Sequence, residues 1–170
     1  IANLPSNFDI GQPLPASLRV TGDARHGIYY APFDHVNIGA KVVLVGITPG
    51  RVQAIEAIRT AARCLQDGLG EAEARARAKT AASFAGPMRS NLVNLLDHVG
   101  LAARLGLQST AELWTTRTDL VHFTSALRYP VFEGAKNFSG SGLLRSPLLR
   151  EQLETWFASE CEALPKALFV

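Results

Sequence analysis

The sequence predicts a single α/β domain built on a short, mainly parallel sheet that helices cover on both faces. Apolar segments of strand length alternate along the chain with amphipathic segments of helical period. The best-defined strand, residues 41–47, reads KVVLVGI, a nearly continuous apolar run without polar alternation, as in strands buried on both faces. With 170 residues, 47% of them hydrophobic, the chain is long enough for one core and too short for two.

Charge and hydropathy exclude few classes of protein. The formal net charge of +2 and a pI near 8.7 permit a nucleic-acid partner without indicating one. No run of about 18 apolar residues is present, and residues 1–15 lack the basic-then-apolar order of a signal peptide. We therefore expect a cytoplasmic protein that does not associate with membranes.

The two cysteines, Cys64 and Cys161, are far apart in the sequence, and each falls on the apolar side of a predicted helix. This pattern favours buried free thiols over a disulfide framework or a metal cluster. His26, His98 and His122 stand in no ligand spacing, so we expect no metal site and no cofactor.

The N-terminal part of the sequence predicts a leader, two strands and a helix. Residues 1–27 are rich in Pro, Gly and polar residues, so we interpret them as an irregular leader before a domain that spans residues 28–170. Residues 28–30 predict a short strand. The strand at 41–47 leads through a tight turn into a helix over 52–65, in which apolar residues recur at helical spacing.

Three further helices are expected before the next strand. Residues 71–83 are alanine-rich, with Glu71, Arg75 and Lys79 four residues apart, which is typical of a solvated helix face. The following helix carries an apolar stripe made of Met88, Leu92, Leu95, Leu96 and Val99. Ser109 and Glu112 have the order of a capping box, which indicates another short helix.

The C-terminal part predicts two more strands and a long helix. Residues 119–125 and 166–170 are the strands, and Ser146 with Pro147 begins the helix between them. We expect the strands at 41–47, 119–125 and 166–170 to be parallel neighbours, so that Thr48 and Ser125 lie at the same end of the sheet.

Four segments in this order resemble motifs of the uracil-DNA glycosylase superfamily. The strand VVLVG followed by ITPG, at residues 42–50, is similar to that family's first motif, a hydrophobic strand that ends in Gly-x-x-Pro. The other segments are SFAG at 83–86 before an amphipathic helix, FTSA at 123–126 closing a strand, and LPKALFV at 164–170 after a long helix. The resemblance covers about 130 residues.

The resemblance implies a three-layer α/β/α sandwich around a short, mainly parallel sheet. In the family, a His-Pro-Ser-like loop that enters the DNA minor groove lies downstream of the third strand. Because Val170 precedes that position, we expect the domain to be incomplete at the C-terminus of this chain.

The resemblance also implies a base-binding pocket at the strand ends. Its substrate-binding residues would be Gly46, Ile47, Pro49 and Gly50 of the turn, Phe84 stacking on a flipped base and Ser125 reading the base edge. Each feature has an ordinary structural alternative, because the turn resembles any tight strand-to-helix connection and a Phe before an amphipathic helix is often a core residue.

The catalytic group is where this sequence departs from the family. Relatives commonly activate water with Asp or Asn at the position of Thr48, or with Glu at that of Ile47. The hydroxyl of Thr48 cannot act as a carboxylate base. Asp34, next to His35, is the nearest acid that could replace it, although such a pair is also typical of a turn. Thr48 and Asp34 are thus the candidate catalytic residues.

A loop over residues 129–145 mixes basic and aromatic residues with glycines. We expect Lys136 in this loop and Arg128 directly before it to contact DNA, as in loops that grip a single strand. The alternative is a solvated loop whose aromatic residues, Tyr129 and Phe138, pack onto the domain.

These features lead to one main hypothesis and two alternatives. The main one is a monomeric DNA glycosylase-like hydrolase that acts on the N-glycosidic bond of a deaminated or damaged base, with DNA as its partner and with weakened or altered activity on uracil. The first alternative is a catalytically silent member of the same fold that binds DNA, a base or a nucleotide. The second is an unrelated doubly wound domain that binds a small metabolite.

Overall fold

The computed structural model describes residues 12–170 and has mixed α/β character. Its strands in this range form two sheets. They are β1 (Arg19–Gly22), β2 (His26–Tyr29), β3 (Val42–Gly46), β4 (Val121–Ser125), β5 (Val131–Glu133), β6 (Lys136–Asn137) and β7 (Leu168–Phe169).

The three strands predicted to be parallel neighbours form one sheet, in the order β4-β3-β7, and both pairings are parallel. Strands β3 and β4 run in register from Val42 opposite Val121 to Gly46 opposite Ser125. This register confirms that the turn after β3 and the end of β4 lie at the same edge of the sheet. The parallel α/β core was therefore predicted correctly.

The second sheet was not predicted. It is antiparallel, in the order β1-β2-β5-β6, and its strands have two to four residues each. Strand β1 and the start of β2 lie within residues 12–27, so this part of the predicted irregular leader is ordered as strand; residues 1–11 lie outside the described part of the chain. Strands β5 and β6 likewise replace part of the predicted loop at 129–145. Strands this short contain too few residues for an alternating pattern to stand out.

The helices are close to the predicted ones. They are α1 (Arg51–Gln66), α2 (Glu71–Ala82), α3 (Pro87–His98), α4 (Leu101–Leu105), α5 (Pro147–Gln152) and α6 (Ala158–Ala163). The hydroxyl of Ser146 accepts the Leu149 N–H at 3.4 Å, which confirms it as an N-cap. Ser109 and Glu112 form the predicted capping box, although the segment they begin is a 3-10 turn.

Helices α5 and α6 belong to one helical run, because a π-helical turn, Leu153–Phe157, joins them. A π turn contains one residue more than a regular turn and is commonly found at functional sites. Within the described residues, no helix is both long enough and apolar enough to cross a membrane.

Apolar side chains cover both faces of the parallel sheet. Val42 and Leu44 point to one face, where they pack with residues of α3, α4 and Trp114. Val43 points to the other face and packs with Leu164, which follows α6. The alternation along β3 thus places its side chains in two separate core clusters.

Two predictions about helix exposure were wrong. Lys79, expected on a solvated face of α2, is buried with 3% of its surface exposed. In α3 the predicted apolar stripe is only partly covered, because Leu96 is buried whereas Met88 and Leu95 are 57% and 58% exposed.

Candidate functional site

A cavity of about 320 Å³ lies at the carboxyl ends of β3 and β4. Its volume falls near the lower end of the range for small-molecule sites, roughly 300–1,000 Å³. Seven of the predicted site residues line it together: Gly46, Ile47, Thr48, Pro49, Phe84, Ser125 and Arg128. The other three predicted site residues, Asp34, Gly50 and Lys136, do not line it.

Gly46 lets the two strand ends approach closely. A Cβ atom at this position would lie 3.1 Å from the Ser125 hydroxyl oxygen and 3.8 Å from the Phe84 ring. The Ser125 hydroxyl itself makes no hydrogen bond with any other described residue. It is therefore available to a ligand as a donor or an acceptor.

Phe84 forms an aromatic wall of the cavity and is half-buried. Its φ angle of 53° is the only positive value among the non-glycine residues that the structure describes. This left-handed conformation costs a Phe residue about 1–2 kcal/mol. Residues kept in such conformations often belong to binding sites, where the surrounding structure holds them in place.

The residue before Phe84 is anchored from three sides. The Ser83 hydroxyl donates to the Lys79 carbonyl at 2.6 Å, while the Ser83 carbonyl accepts from Trp114 Nε1 and Arg89 Nη2, both at 3.0 Å. The Phe84 ring lies edge-on to Trp114, with their centroids 6.5 Å apart. These contacts fix the ring in the cavity wall.

Thr48 has a structural role in this arrangement. Its hydroxyl donates to the Tyr129 carbonyl at 3.0 Å and accepts the Val131 N–H at 3.2 Å. The turn after β3 is thereby tied to β5. With its proton donated and one acceptor position occupied, the hydroxyl is poorly placed to activate water.

Asp34 is not among the residues that line the cavity. Its carboxylate accepts the Tyr30 hydroxyl at 3.3 Å and lies 3.7 Å from Arg75 Nε. Burial, together with the negative charge of Asp34, raises the pKa of Tyr30. Asp34 thus stabilises the junction between its loop and α2, which matches the structural alternative for this residue.

Gly50 faces the β5–β6 hairpin. A Cβ atom on Gly50 would lie 3.2 Å from Asn137 Nδ2, and Asn137 Oδ1 accepts the Arg51 N–H at 3.0 Å. The hairpin thus caps the first turn of α1, next to the predicted base-binding turn. The neighbouring Lys136 is exposed on the hairpin, away from the cavity lining.

Arg128 is buried, whereas an exposed cation was expected for a DNA contact. Its Nε donates to Glu160 Oε1 at 2.8 Å, and its Nη2 lies 2.6 Å from the same oxygen. Its guanidinium also lies over the Trp156 ring, 4.7 Å from the centroid. These contacts neutralise the Arg128 charge and leave it unsuited to gripping a phosphate backbone.

Glu160 is at the centre of a buried polar cluster behind the cavity. Its second oxygen, Oε2, accepts the Thr124 hydroxyl and lies 3.0 Å from His122 Nε2. Burial opposes ionisation of Glu160, but the hydrogen bond from His122, the charge of Lys79 and the Thr124 hydroxyl lower its pKa to about 2. The carboxylate is therefore ionised and fully engaged at neutral pH.

His122 is held as a neutral imidazole in this cluster. Burial lowers its pKa, while the hydrogen bond with Glu160 opposes the shift. Its Nδ1 faces the Asn37 N–H at 3.4 Å, so Nδ1 accepts and Nε2 carries the proton donated to Glu160. This tautomer leaves the ring without a free basic nitrogen.

Lys79 brings a second cation to the cavity wall. Its ammonium donates to the His35 carbonyl at 2.6 Å. Burial lowers the pKa of Lys79 to about 8, while the negative charge of Glu160 works against that shift. Lys79 also borders a more polar groove of about 650 Å³ that contains Glu73 and Asp119.

This arrangement is suited to recognition more than to general acid–base catalysis. Among the described residues, the cavity lining includes aromatic rings, hydroxyls and two cations, but no carboxylate and no imidazole. Nor does the described part of the chain contain a group of three or more His, Cys, Asp or Glu side chains that could hold a metal ion.

Sequence reasoning missed the Glu160 cluster, although a signal for it exists. Glu160 follows Trp156 by four residues and Leu153 by seven, so it falls within the apolar stripe of its helix. In the same way, Lys79 precedes the buried Ala82 of α2 by three residues, so it falls on the same face of that helix. A charged residue within a packed face indicates a buried partner.

Comparison with known proteins finds a similar protein whose name states no function. No protein-family model matches the chain, and no solved structure matches it. The chain is 38% identical over 149 residues to YoxB of Bacillus subtilis strain 168, which is described as an uncharacterized protein. The match covers 86% of this chain and 58% of YoxB, so the chain spans less than two thirds of that relative's length.

Proposed function

We propose that this chain is a uracil-DNA glycosylase-like domain, with a three-layer α/β/α arrangement, whose cavity binds a nucleobase. The observation that carries this proposal is the aromatic cavity at the carboxyl ends of β3 and β4, with Phe84 fixed in its wall and Ser125 at its end. A flat ring placed against Phe84 would have its polar edge near the Ser125 hydroxyl. Ligands of α/β sheets commonly bind at this end of the strands.

Of the two hypotheses within this fold, binding without efficient hydrolysis has the stronger support. A water-activating base is needed for rapid cleavage, and such a group typically contributes about 10²–10⁴-fold to a rate. Thr48 is occupied by two hydrogen bonds, and Asp34 interacts with Tyr30 and Arg75. The described cavity lining thus offers recognition groups and lacks a free base.

Slow hydrolysis of an N-glycosidic bond in DNA is the second candidate function. It is favoured by Lys79, whose positive charge at the cavity wall would stabilise the negative charge that a departing base carries. This contribution does not require an activated water. On this hypothesis we expect uracil to be released from DNA slowly.

Base binding is tested by calorimetric titration of the full-length protein with uracil and hypoxanthine. Replacing Phe84 by Leu removes the stacking surface and should weaken binding, since stacking contributes roughly 1–3 kcal/mol per base. Phe169→Leu, a change in the exposed strand β7, is the matched control and should bind as the wild type does. Failure of the wild type to bind any base would contradict the proposal.

Hydrolysis is tested separately on DNA that contains uracil, hypoxanthine or xanthine. Formation of abasic sites is followed while affinity for the same DNA is measured at two salt concentrations. Binding without abasic product supports a silent recognition domain. Rapid excision that survives Thr48→Ala and Asp34→Ala would show that the chemistry lies in residues other than these two.

A further inference from the structure

The charges around the cavity are unequal. Arg128 is neutralised by Glu160, to which it makes two contacts shorter than 3 Å, at 2.8 and 2.6 Å. Lys79 also lines the cavity, but within the described residues its ammonium has one hydrogen-bond acceptor, the His35 carbonyl. Because Glu160 is already paired with Arg128, the cavity retains about one positive charge.

An ammonium group has three N–H donors and no acceptor. One donor of Lys79 binds the His35 carbonyl, and the other two have no acceptor among the described residues. An ionised donor in a site with little access to water favours an ionised acceptor, because charge-assisted hydrogen bonds are about twice as strong as neutral ones. A ligand with a neutral or amino-bearing edge would leave the Lys79 ammonium without an anionic partner.

We infer that Lys79 makes this cavity selective for a planar heterocycle that carries a negative charge on its carbonyl-rich edge. The inference rests on the proposed function, because it names the charge state of the base that the same cavity binds. The aromatic wall at Phe84 selects a flat ring, the Ser125 hydroxyl contacts its polar edge, and Lys79 discriminates between anionic and neutral rings.

The neighbouring groove is a weaker candidate for the same role. Lys79 borders both spaces, but the groove also contains the carboxylates of Glu73 and Asp119. Glu73 is paired with Arg77 of the same lining and Asp119 is paired with Arg117, so charge alone does not separate the two spaces. The Phe84 ring and the Ser125 hydroxyl line the cavity and not the groove, so a flat anionic ring is favoured in the cavity.

The protonation state of Lys79 follows from its surroundings. Burial lowers its pKa to about 8, so the ammonium form predominates at pH 7. An anionic ligand raises that pKa and is bound best by the protonated protein. The charged and titratable groups that interact with Lys79 are Glu160, Arg128, Asp34, His35 and His122.

The experiment compares uracil with barbiturate, a ring of the same size that is ionised at neutral pH. Calorimetry on the full-length protein should show that barbiturate binds roughly 10- to 100-fold more tightly than uracil, since hydrogen bonds to charged groups are the stronger class. In Lys79→Met this difference should disappear, while uracil still binds. Lys41→Met, a change of an exposed Lys at the opposite end of β3, should retain the difference.

A pH series on the wild type gives a readout that does not depend on the variant's folding. Barbiturate is ionised throughout the range from pH 7 to pH 9, so only the protein changes charge. Loss of the Lys79 proton should weaken barbiturate binding about tenfold between pH 7 and pH 9. The affinity for neutral uracil should change much less between pH 7 and pH 8.

The outcomes separate this inference from the proposed function. If neither ring binds, both fail. If both rings bind with similar affinity, or if Lys79→Met preserves the preference for barbiturate, the cavity still binds a base but Lys79 does not select its charge.

Discussion

Helices α2 and α3 flank the turn that carries Phe84 and have twelve residues each. The helix with the more polar composition, α2, is the one that is better buried. The charged, alanine-rich α2 is buried along one face, where Ala78 and Ala82 have no exposed surface. The more apolar α3 leaves Met88 and Leu95 more than half exposed. Burial here follows the shape of the face more closely than its hydropathy.

The reason is that small side chains let two helix backbones approach each other closely. Ala54, Ala57 and Ala61 of α1 belong to the same core cluster as Ala78 and Ala82 of α2, so the two helices meet through alanines. A close contact of this kind excludes water even from the neighbouring Lys79. In α3, Leu96 is buried in the core and Leu92 and Val93 pack against it in part, whereas Met88 and Leu95 are mostly exposed.

The largest expected effect concerns the cluster to which α2 contributes Lys79. Glu160→Gln removes the carboxylate that Arg128 and Lys79 face and leaves buried positive charge uncompensated. We expect the free energy of unfolding to fall by about 3–5 kcal/mol, the usual result of breaking a buried ion pair. Chemical denaturation measures it, with the exposed Glu162→Gln as the control that should change little.

Low pH should also lower the free energy of unfolding, because it protonates the Glu160 carboxylate. Its folded-state pKa of about 2 lies below the ordinary value of 4.5, so Glu160 stabilises the fold above pH 4.5 and loses this contribution as pH falls toward 2. Unfolding free energies measured from pH 6 to pH 2 should decline more steeply in the wild type than in Glu160→Gln. Parallel pH profiles for the two proteins would contradict the assignment of Glu160 as an ionised, buried group.

The contrast between the helices is tested directly by a pair of substitutions. Ala78→Leu inserts a large side chain between α1 and α2 and should cost about 1–3 kcal/mol of stability. Leu95→Ala removes a large side chain from α3 and should stay within about 0.5 kcal/mol, because that residue is mostly exposed. Thermal and chemical unfolding check both, and equal costs would mean that α3 is covered in solution.

The smallest expected effect lies in the turn between the helices. Glycine normally destabilises a protein relative to alanine, but at Phe84 the φ angle of 53° favours glycine. Phe84→Gly should therefore be more stable than Phe84→Ala by about 1 kcal/mol, while both variants lose base binding. A more stable alanine variant would show that the turn changes conformation once the ring is removed.

Much of the parallel core could be predicted because its signals are local. The apolar run of β3 and the Ser146 N-cap each depend on neighbouring residues, and so do most helix boundaries. The antiparallel sheet could not be predicted in this way, because strands such as β6, with two residues, exist only through pairing with distant segments. Strand β1 was overlooked for the same reason.

The candidate site was predicted in part. The first motif and Phe84 were predicted to lie together, and they line one cavity, since both lie next to the ends of recognisable elements. The engagement of the Thr48 hydroxyl by Tyr129 and Val131 depends on residues more than eighty positions away. The pairing of Arg128 with Glu160 likewise joins residues 32 positions apart, which no local pattern specifies.

The π-helical turn at residues 153–157 has a consequence for how the polar cluster is assembled. Each residue of a regular helix advances the side-chain direction by roughly 100°. A single additional residue therefore changes the direction in which every later side chain of the helix points. The turn contains Trp156, which lies against Arg128, and it precedes Glu160, which binds Arg128 from the next turn. Deleting one residue there would rotate Glu160 away from β4, so one irregular turn sets the angular position on which the buried ion pair depends.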